Sequence, residues 1–250
     1  MKLLNNRLIA ITGAGSGNGK ALAHGLADYG AKIIALDINT DSASTTATEI
    51  CENGGNAWSY QLDITNFAAC KELAAKISTD LKAIDVLINN AGIIRRTSID
   101  DEDACQAWQD CIDVNATGAF NMSTAFANQL RSTKGNIINM TSITAFVSAK
   151  TFPGYSASKA AVVAMTRAMA ATMAEHEVRV NAVAPGPFST PMTASTLANK
   201  SKENYYTSRV LLGRFGDPEE IVGPVAFMAS EMASFVTGTT LVVDGGFLAE

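Results

Sequence analysis

The stretch Leu8-Ile9-Ala10-Ile11-Thr12-Gly13-Ala14-Gly15-Ser16-Gly17-Asn18-Gly19 decides the fold. Its apolar run leads into a glycine-rich turn, a helical pattern follows over 20–29, and a second apolar run, 33–36, ends at Asp37. A strand, a glycine turn, a helix and a second strand ending in an acid predict the mononucleotide-binding half of a doubly wound sheet. Glycines allow the backbone to approach a pyrophosphate closely, and the helix N-terminus offers N–H groups to that anion. Asp37 stands where a carboxylate accepts hydrogen bonds from both hydroxyls of an adenosine ribose.

The glycine spacing separates this turn from two other phosphate-binding turns. A P-loop requires Gly-Lys followed by Ser or Thr, but here Gly19-Lys20 is followed by Ala21. The spacing Gly-x-Gly-x-x-Gly fails in every frame. The pattern that fits is Thr-Gly-x-x-x-Gly-x-Gly, which begins at Thr12. A glycine-rich turn can also be only a turn, so the prediction depends on the flanking strands and on Asp37.

Composition narrows the class of protein. Apolar residues make up 47% of the 250 residues and charged residues 17%, which favours a large core over disorder. The net charge of −5 argues against nonspecific binding to nucleic acid. No run is apolar enough to span a bilayer and no signal-peptide pattern occurs, so we expect a cytoplasmic protein. Cysteines without paired spacing, and only two histidines, predict that no metal is bound.

Helical and strand patterns continue to alternate along the chain. Helices are predicted over 41–52, 66–81 and 101–131, after Pro153-Gly154 as far as about Glu175, and after Asp217. Strands are predicted over 57–62, 84–88, 136–140, 178–184 and 239–243. Near-continuous apolar strands between helices predict a seven-stranded parallel sheet covered on both faces, a Rossmann-type α/β fold. No linker or repeat interrupts it, so we expect one domain over 1–250, in which 188–212 forms a mobile loop or helical lid.

Polar residues that follow the predicted strands supply candidate chemistry. Asp63, the run 89–92 and Ser142 would lie along the carboxyl edge of the sheet, where such folds bind ligands. Tyr155 and Lys159 are four residues apart on a predicted helix and therefore share one face. An ammonium beside a phenol favours the phenolate and lowers its pKa, although an incidental pair on an exposed helix would show the same spacing.

Together these motifs resemble the classical short-chain dehydrogenase/reductase family over nearly the full chain. The resemblance rests on the turn 12–19, Asp63, Asn89-Asn90-Ala91-Gly92, Asn115, Ser142, Tyr155-x-x-x-Lys159 and Pro185-Gly186, with thirteen residues between Ser142 and Tyr155. It implies an oxidoreductase that interconverts a secondary alcohol and a ketone by hydride transfer. A catalytically silent dinucleotide-binding protein, or an interaction protein on an inherited fold, remain as alternatives.

The resemblance also implies roles for individual residues. Tyr155 would be the general acid/base and Ser142 would bind the reacting oxygen. Lys159 would lower the tyrosine pKa and hold the nicotinamide ribose, and Asn115 would anchor a water that relays protons. The implied cofactor contacts are Gly13, Ser16, Asn18, Gly19, Asp37, Asp63 at the adenine, Ile64, Asn89, Ala91, Gly92, Tyr155, Lys159, Pro185, Gly186 and Thr190 at the carboxamide. Asn18 departs from the family pattern, which usually has an apolar residue there.

Charge around Asp37 predicts NAD(H) in preference to NADP(H). A 2′-phosphate would meet the negative Asp37 carboxylate at close range. The following Ile38 and Asn39 supply no cation, and neither do turn residues 14–16.

The pair Arg95-Arg96, close behind the fourth strand, suggests the substrate. A guanidinium holds a carboxylate in a bidentate pair, so we expect a sugar acid or keto-deoxy sugar acid. Three stretches resemble the gluconate and keto-deoxygluconate dehydrogenase branch of the family: the one with these arginines, Gly213-Arg214-Phe215-Gly216 and the ending 243–249. Solvated arginines, or pairs with the acids at 100–102, are an alternative explanation. Reduction of 3-oxoacyl thioesters is the main competing activity, and oxidation of steroids or simple polyols also stays open.

Family resemblance further implies a homotetramer. The stretch 160–173 is rich in alanine and methionine and apolar on more than one side, so it requires cover on two faces. Burial within a single subunit would provide such cover equally well.

Overall fold

The computed structural model describes residues 2–147 and 153–249, so the outermost residues of the predicted domain lie outside the description. Within these ranges seven parallel strands form one sheet in the order β3-β2-β1-β4-β5-β6-β7, which confirms the predicted architecture. The strands are β1 Leu8–Thr12, β2 Lys32–Asp37, β3 Asn56–Gln61, β4 Val86–Asn89, β5 Asn136–Met140, β6 Arg179–Pro185 and β7 Thr240–Val243.

Helices connect the strands and cover both faces of the sheet. They are α1 Gly17–Asp28, α2 Thr40–Glu52, α3 Phe67–Asp80, α4 Ala104–Ile112, α5 Ala119–Thr133, α6 Pro153–Met173, α7 Ala194–Leu197, α8 Lys200–Thr207 and α9 Val222–Ala229. None of the helices in the described ranges has the length and apolarity to cross a bilayer.

Side chains of successive strand residues enter two separate cores, as the pleat requires. In β1, Ile9 and Ile11 pack with residues of α1 and α9, whereas Leu8 and Ala10 pack with residues of α3 and α5. Both faces of the central strands are therefore buried, which explains why their sequences are apolar without alternation.

Strand order reverses at β1, which lies between β2 and β4. The connections that leave β1 and β4 therefore run to opposite faces of the sheet, and a crevice opens at their carboxyl ends. This crevice contains most of the motifs identified in the sequence.

The helical stretch predicted over 101–131 is not one regular helix. α4 and α5 are separated by a π-helical turn, Asp113–Gly118, which contains Asn115. A wider turn carries one extra residue and re-aims the side chains that it contains, and such turns are common at functional sites. The segment 188–212 includes α7 and α8, and its action as a lid stays a prediction.

Candidate active site

The crevice at the carboxyl ends of β1 and β4 is a cleft of about 430 Å³. Most of the predicted site residues line it: Gly13, Ser16, Asn18, Gly19, Asp37, Asp63, Ile64, Ala91, Gly92, Arg96, Ser142, Tyr155, Lys159, Pro185, Gly186 and Thr190. Residues separated by more than 170 positions in the chain therefore share one cavity. Its polar groups lie among apolar walls, as is usual for a cofactor or small-molecule site.

Asn89, in contrast, does not line the cleft, although the sequence placed it there. Its side chain is buried and Nδ2 donates to Ser123 Oγ at 2.9 Å and to Asn139 Oδ1 at 2.8 Å. Asn89 is the last residue of β4, and the pleat directs its side chain away from the cleft. The next residue, Asn90, reaches the glycine turn instead, where its Nδ2 donates to the carbonyl oxygens of Thr12 and Gly13.

The glycine turn forms a cradle whose backbone packs too closely for side chains. Gly13 has a φ of +65°, and a Cβ on it would lie 2.9 Å from the Cα of Ala91. A Cβ on Gly19 would lie only 1.9 Å from the carbonyl oxygen of Gly13. Ser16 precedes α1 without a side-chain hydrogen bond to the helix, so no side chain of the N-cap covers the first-turn N–H groups. This arrangement fits a bound pyrophosphate.

The carboxylate of Asp37 is fixed at one end of the cleft by backbone donors. Its Oδ2 accepts from the N–H of Gly15 at 2.9 Å, and its Oδ1 accepts from the N–H of Asn39 at 3.0 Å. Among the described residues, the cations that line the cleft are Arg96 and Lys159. Neither stands in the loop directly after β2, beside Asp37. Asp63 holds Thr65 through two hydrogen bonds of 2.9 and 2.7 Å, and its contact with an adenine stays a prediction.

Tyr155, Lys159 and Ser142 meet at the other end of the cleft. Lys159 Nζ lies 5.8 Å from the centre of the Tyr155 ring and donates to the carbonyl oxygen of Met140 at 2.9 Å. The Tyr155 side chain is hydrogen-bonded to that of Ser142. A buried phenol, hydroxyl and ammonium in one cleft can hold a reacting oxygen and exchange a proton with it.

Burial shapes the protonation of this group. It raises the pKa of Tyr155, and the hydrogen bond with Ser142 opposes that rise. Burial also lowers the pKa of Lys159 from 10.5 to about 8, because desolvation disfavours its own charge. The hydrogen bond with Ser142 therefore favours the phenolate, and the expected effect of Lys159 on the pKa of Tyr155 stays a prediction.

Asn115 connects the loop after β4 to the helix that carries Tyr155. Its Oδ1 accepts from the N–H of Ile93 at 2.7 Å, and its Nδ2 donates to the Ile93 carbonyl oxygen and to Ser158 Oγ, both at 2.9 Å. The π-helical turn turns the amide toward these partners. Its expected role in a proton relay stays a prediction.

The two adjacent arginines have separate environments. Arg95 is largely exposed and its Nε contacts Asp110 at 3.2 Å, an acid different from those at 100–102 that the sequence suggested. Arg96 lines the cleft and donates to Ser195 Oγ at 3.1 Å and to Thr196 Oγ1 at 3.2 Å. The structure thus brings Arg96, but not Arg95, to the candidate substrate site.

Sequence reasoning missed the wall that closes this end of the cleft. Thr196, Tyr206 and Phe215 line it, and the Tyr206 ring stacks against that of Phe247 with centroids 6.3 Å apart. Thr196 and Tyr206 come from 188–212, whose short mixed clusters gave no recognisable spacing. Phe215 and Phe247 lie in stretches that suggested a family branch but no position in the cleft. Their aromatic character was the available signal, but it did not indicate which rings would meet.

The chain is similar to known proteins in sequence and in structure. A family model described as enoyl-(acyl carrier protein) reductase matches residues 13–248. The chain is 37% identical to 5-keto-D-gluconate 5-reductase of Escherichia coli strain K12, over 98% of this chain and 96% of that protein. It is also 37% identical to a 3-oxoacyl-(acyl-carrier-protein) reductase of Thermotoga maritima, over 98% and 99%. The structure of a gluconate 5-dehydrogenase from Burkholderia cenocepacia in complex with NADP and tartrate superposes with a TM-score of 0.95 at 34% identity, over 99% of this chain and 97% of that chain.

Proposed function

Because the chain belongs to the short-chain dehydrogenase/reductase family, we propose that it interconverts a secondary alcohol and a ketone in a sugar acid or keto-deoxy sugar acid, with NAD(H). A bound nicotinamide would supply or accept the hydride. The glycine cradle, the first turn of α1 and Asp37 would hold the dinucleotide, because their N–H groups and carboxylate match its pyrophosphate and ribose.

The proton would be handled at the hydroxyl of Tyr155. In ketone reduction Tyr155 donates its proton to the carbonyl oxygen while Ser142 hydrogen-bonds that same oxygen. The raised pKa of Tyr155 keeps the phenol protonated and suits this direction. In alcohol oxidation the phenolate accepts the hydroxyl proton, and the hydrogen bond with Ser142, which lowers the pKa of Tyr155, assists this step.

The guanidinium of Arg96 in the cleft carries the proposal of an acidic substrate. Its planar fork binds a carboxylate through two charge-assisted hydrogen bonds. Its contacts with Ser195 and Thr196 orient it from the lid side. The names of the Escherichia coli relative and of the Burkholderia neighbour, which contains tartrate, agree with this substrate class.

The preference for NAD(H) rests on Asp37. The Burkholderia neighbour contains NADP, so the preference is argued from this chain alone. Two backbone N–H groups hold the Asp37 carboxylate in place, so it has little freedom to move away from a 2′-phosphate. Ile38 and Asn39, which follow it, provide no compensating cation.

Reduction of a 3-oxoacyl thioester is the second candidate, and the Thermotoga relative supports it at the same identity. That activity would favour a basic cleft rim for an acidic carrier and commonly NADPH. The net charge of −5 and the fixed Asp37 carboxylate both argue against it.

A screen of NAD reduction across sugar acids, polyols, hydroxyacyl thioesters and steroids tests the proposal. We expect the acids to be turned over best, and Arg96→Ala to raise their KM by about ten- to hundredfold, the worth of a charged hydrogen bond. Arg95→Ala removes an equal charge outside the cleft and is the matched control, with KM unchanged. Acids turned over no better than neutral analogues, or insensitive to Arg96→Ala, would refute the proposed substrate class.

We also propose a homotetramer. The outward face of α6 carries small exposed residues, among them Ala161, Ala164 and Ala168, which allow close helix packing. Trp108 of α4 and Phe120 of α5 are about half exposed, at 45% and 52%. Sedimentation at micromolar concentration checks this assembly, and a monomer alone would contradict it.

A further inference from the structure

Asn18 is the side chain that projects from the end of the glycine turn. The flanking Gly19 has no room for a Cβ, and a Cβ on Gly17 would lie 3.5 Å from the Thr190 Cβ and 3.6 Å from the Pro191 Cδ. The turn therefore faces the loop that follows β6. Asn18, which stands between these two glycines, lines the cleft.

The Asn18 amide has an unsatisfied acceptor. Its Oδ1 is buried and has no hydrogen-bond partner among the described residues. Asn90 and Asn115, which stand near the same cleft, differ because their amides bond to the turn and to the loop after β4. A buried amide oxygen without a donor is costly, and of the described asparagines with such an oxygen, Asn18, Asn89 and Asn136, only Asn18 lines the cleft. This position points to a partner that comes from a ligand.

We propose that Asn18 Oδ1 accepts a hydrogen bond from the carboxamide N–H group of the nicotinamide. The Cβ–Cγ torsion of asparagine is broad, so a rotation of the amide turns Oδ1 toward the cleft. The inference rests on the dinucleotide part of the proposed function. It gives the reactive end of the cofactor a side-chain contact in addition to the one expected from Thr190.

The carboxamide is the group that fits best at this position. The reaction centre at Tyr155 and Ser142 requires the nicotinamide ring beside it, and Gly17 abuts Thr190, the residue expected at the carboxamide. A pyrophosphate offers only acceptors, so it cannot satisfy an amide oxygen. The carboxamide nitrogen, in contrast, donates two hydrogens.

Binding measurements with three ligands test the contact. The first ligand is NADH or NADPH, whichever the protein binds more tightly. The second is the 3-acetylpyridine analogue of that dinucleotide, which lacks the carboxamide nitrogen. The third is the matching ADP-ribose, which lacks the nicotinamide ring. Asn18→Leu should weaken binding of the natural dinucleotide by about three- to tenfold, the worth of one neutral hydrogen bond. The same substitution should leave the affinity for the acetylpyridine analogue and for ADP-ribose unchanged.

Controls separate this contact from general damage and from failure of the cofactor assignment. Asn53→Leu makes the same change at an exposed position at the end of α2 and should leave every affinity unchanged. Asn18→Ala serves as a second variant if leucine impairs folding. Equal losses for ADP-ribose or for the acetylpyridine analogue would overturn the proposal, as would an unchanged affinity for the natural dinucleotide. If the unaltered protein binds neither dinucleotide, the cofactor assignment itself is refuted.

Discussion

The two ends of the cleft are constructed in different ways. At the proposed adenosine end, the Asp37 carboxylate is held by backbone N–H groups of a turn 22 residues earlier in the chain and of Asn39. At the proposed substrate end, the Arg96 side chain donates to the hydroxyls of Ser195 and Thr196, about 100 residues later in the chain. The position of a backbone N–H is set by the fold and does not depend on the side chain, whereas side-chain partners can be replaced one at a time.

This difference explains how one fold serves many substrates. The adenosine end binds a constant group, and its geometry follows from strand ends and a glycine turn. The substrate end is formed by loops, which tolerate changes in sequence without loss of the sheet. Substitutions at the reaction centre, at the adenosine end and in the lid should therefore have separable effects.

The largest effect is expected at the reaction centre, which lies at the substrate end. Tyr155→Phe keeps the ring packing and removes the proton donor, so turnover should fall by about a hundred- to ten-thousandfold. Binding of dinucleotide and of substrate should change little, because Asp37 and Arg96 are not altered. Steady-state kinetics and direct binding check this, with Tyr206→Phe as a control on another ring that lines the cleft. Turnover near normal in Tyr155→Phe would remove Tyr155 from the proton transfer.

The sequence predicted the adenosine end better than the substrate end. The turn 12–19 and Asp37 lie within one strand-turn-helix-strand unit, so local spacing determines their geometry. The choice between Arg95 and Arg96 depends on Asp110 and on lid hydroxyls far along the chain, which no local pattern reveals. The side chain of Asn89 was misplaced for a smaller reason, because the side on which a strand's last residue points depends on the register of that strand.

The protonation of Tyr155 shows a second kind of limit. Spacing placed Tyr155 and Lys159 on one helix face, and the structure agrees. It did not reveal that both side chains are desolvated, which raises one pKa and lowers the other. Burial is a property of the whole fold, so it cannot be obtained from two positions of a helix.

The second largest effect concerns the buried Lys159. Its pKa is lowered to about 8 in the folded protein, against 10.5 ordinarily, so the unfolded chain binds more protons between these pH values. The free energy of unfolding therefore rises with pH across this window, and below it the buried charge costs up to about 3 kcal/mol. Lys159→Met removes the charge and should stabilise the protein more at pH 7 than at pH 10.

Urea unfolding of both proteins at the two pH values measures this difference. Comparison with the unaltered chain cancels the titration of the remaining groups. A stability difference that does not change with pH would mean that Lys159 titrates normally.

The adenosine end is tested by Asp37→Ala. Loss of the carboxylate removes an acceptor for ribose hydroxyls and the repulsion of a 2′-phosphate, so the preference for NAD(H) should fall by about ten- to hundredfold. The ratio of kcat/KM for NAD to that for NADP measures it, while KM for the substrate should stay constant. Asp63→Ala is the control, because its expected contact is with the adenine, which both dinucleotides share, so the ratio should not change. An unchanged ratio in Asp37→Ala would show that the preference is set elsewhere.

The smallest effect is expected in the lid. Thr196→Val keeps the shape of the side chain but removes one hydroxyl that orients Arg96. The guanidinium retains its charge and its contact with Ser195, so KM for an acidic substrate should rise only about two- to fivefold, the worth of one neutral hydrogen bond. Dinucleotide affinity should not change, because no backbone donor at the other end is disturbed. Ser208→Ala removes an exposed hydroxyl of the same segment, which donates to the carbonyl oxygen of Tyr205. It should leave the KM for the acidic substrate and the dinucleotide affinity unchanged. If Thr196→Val instead weakens dinucleotide binding, the two ends of the cleft are coupled and cannot be altered independently.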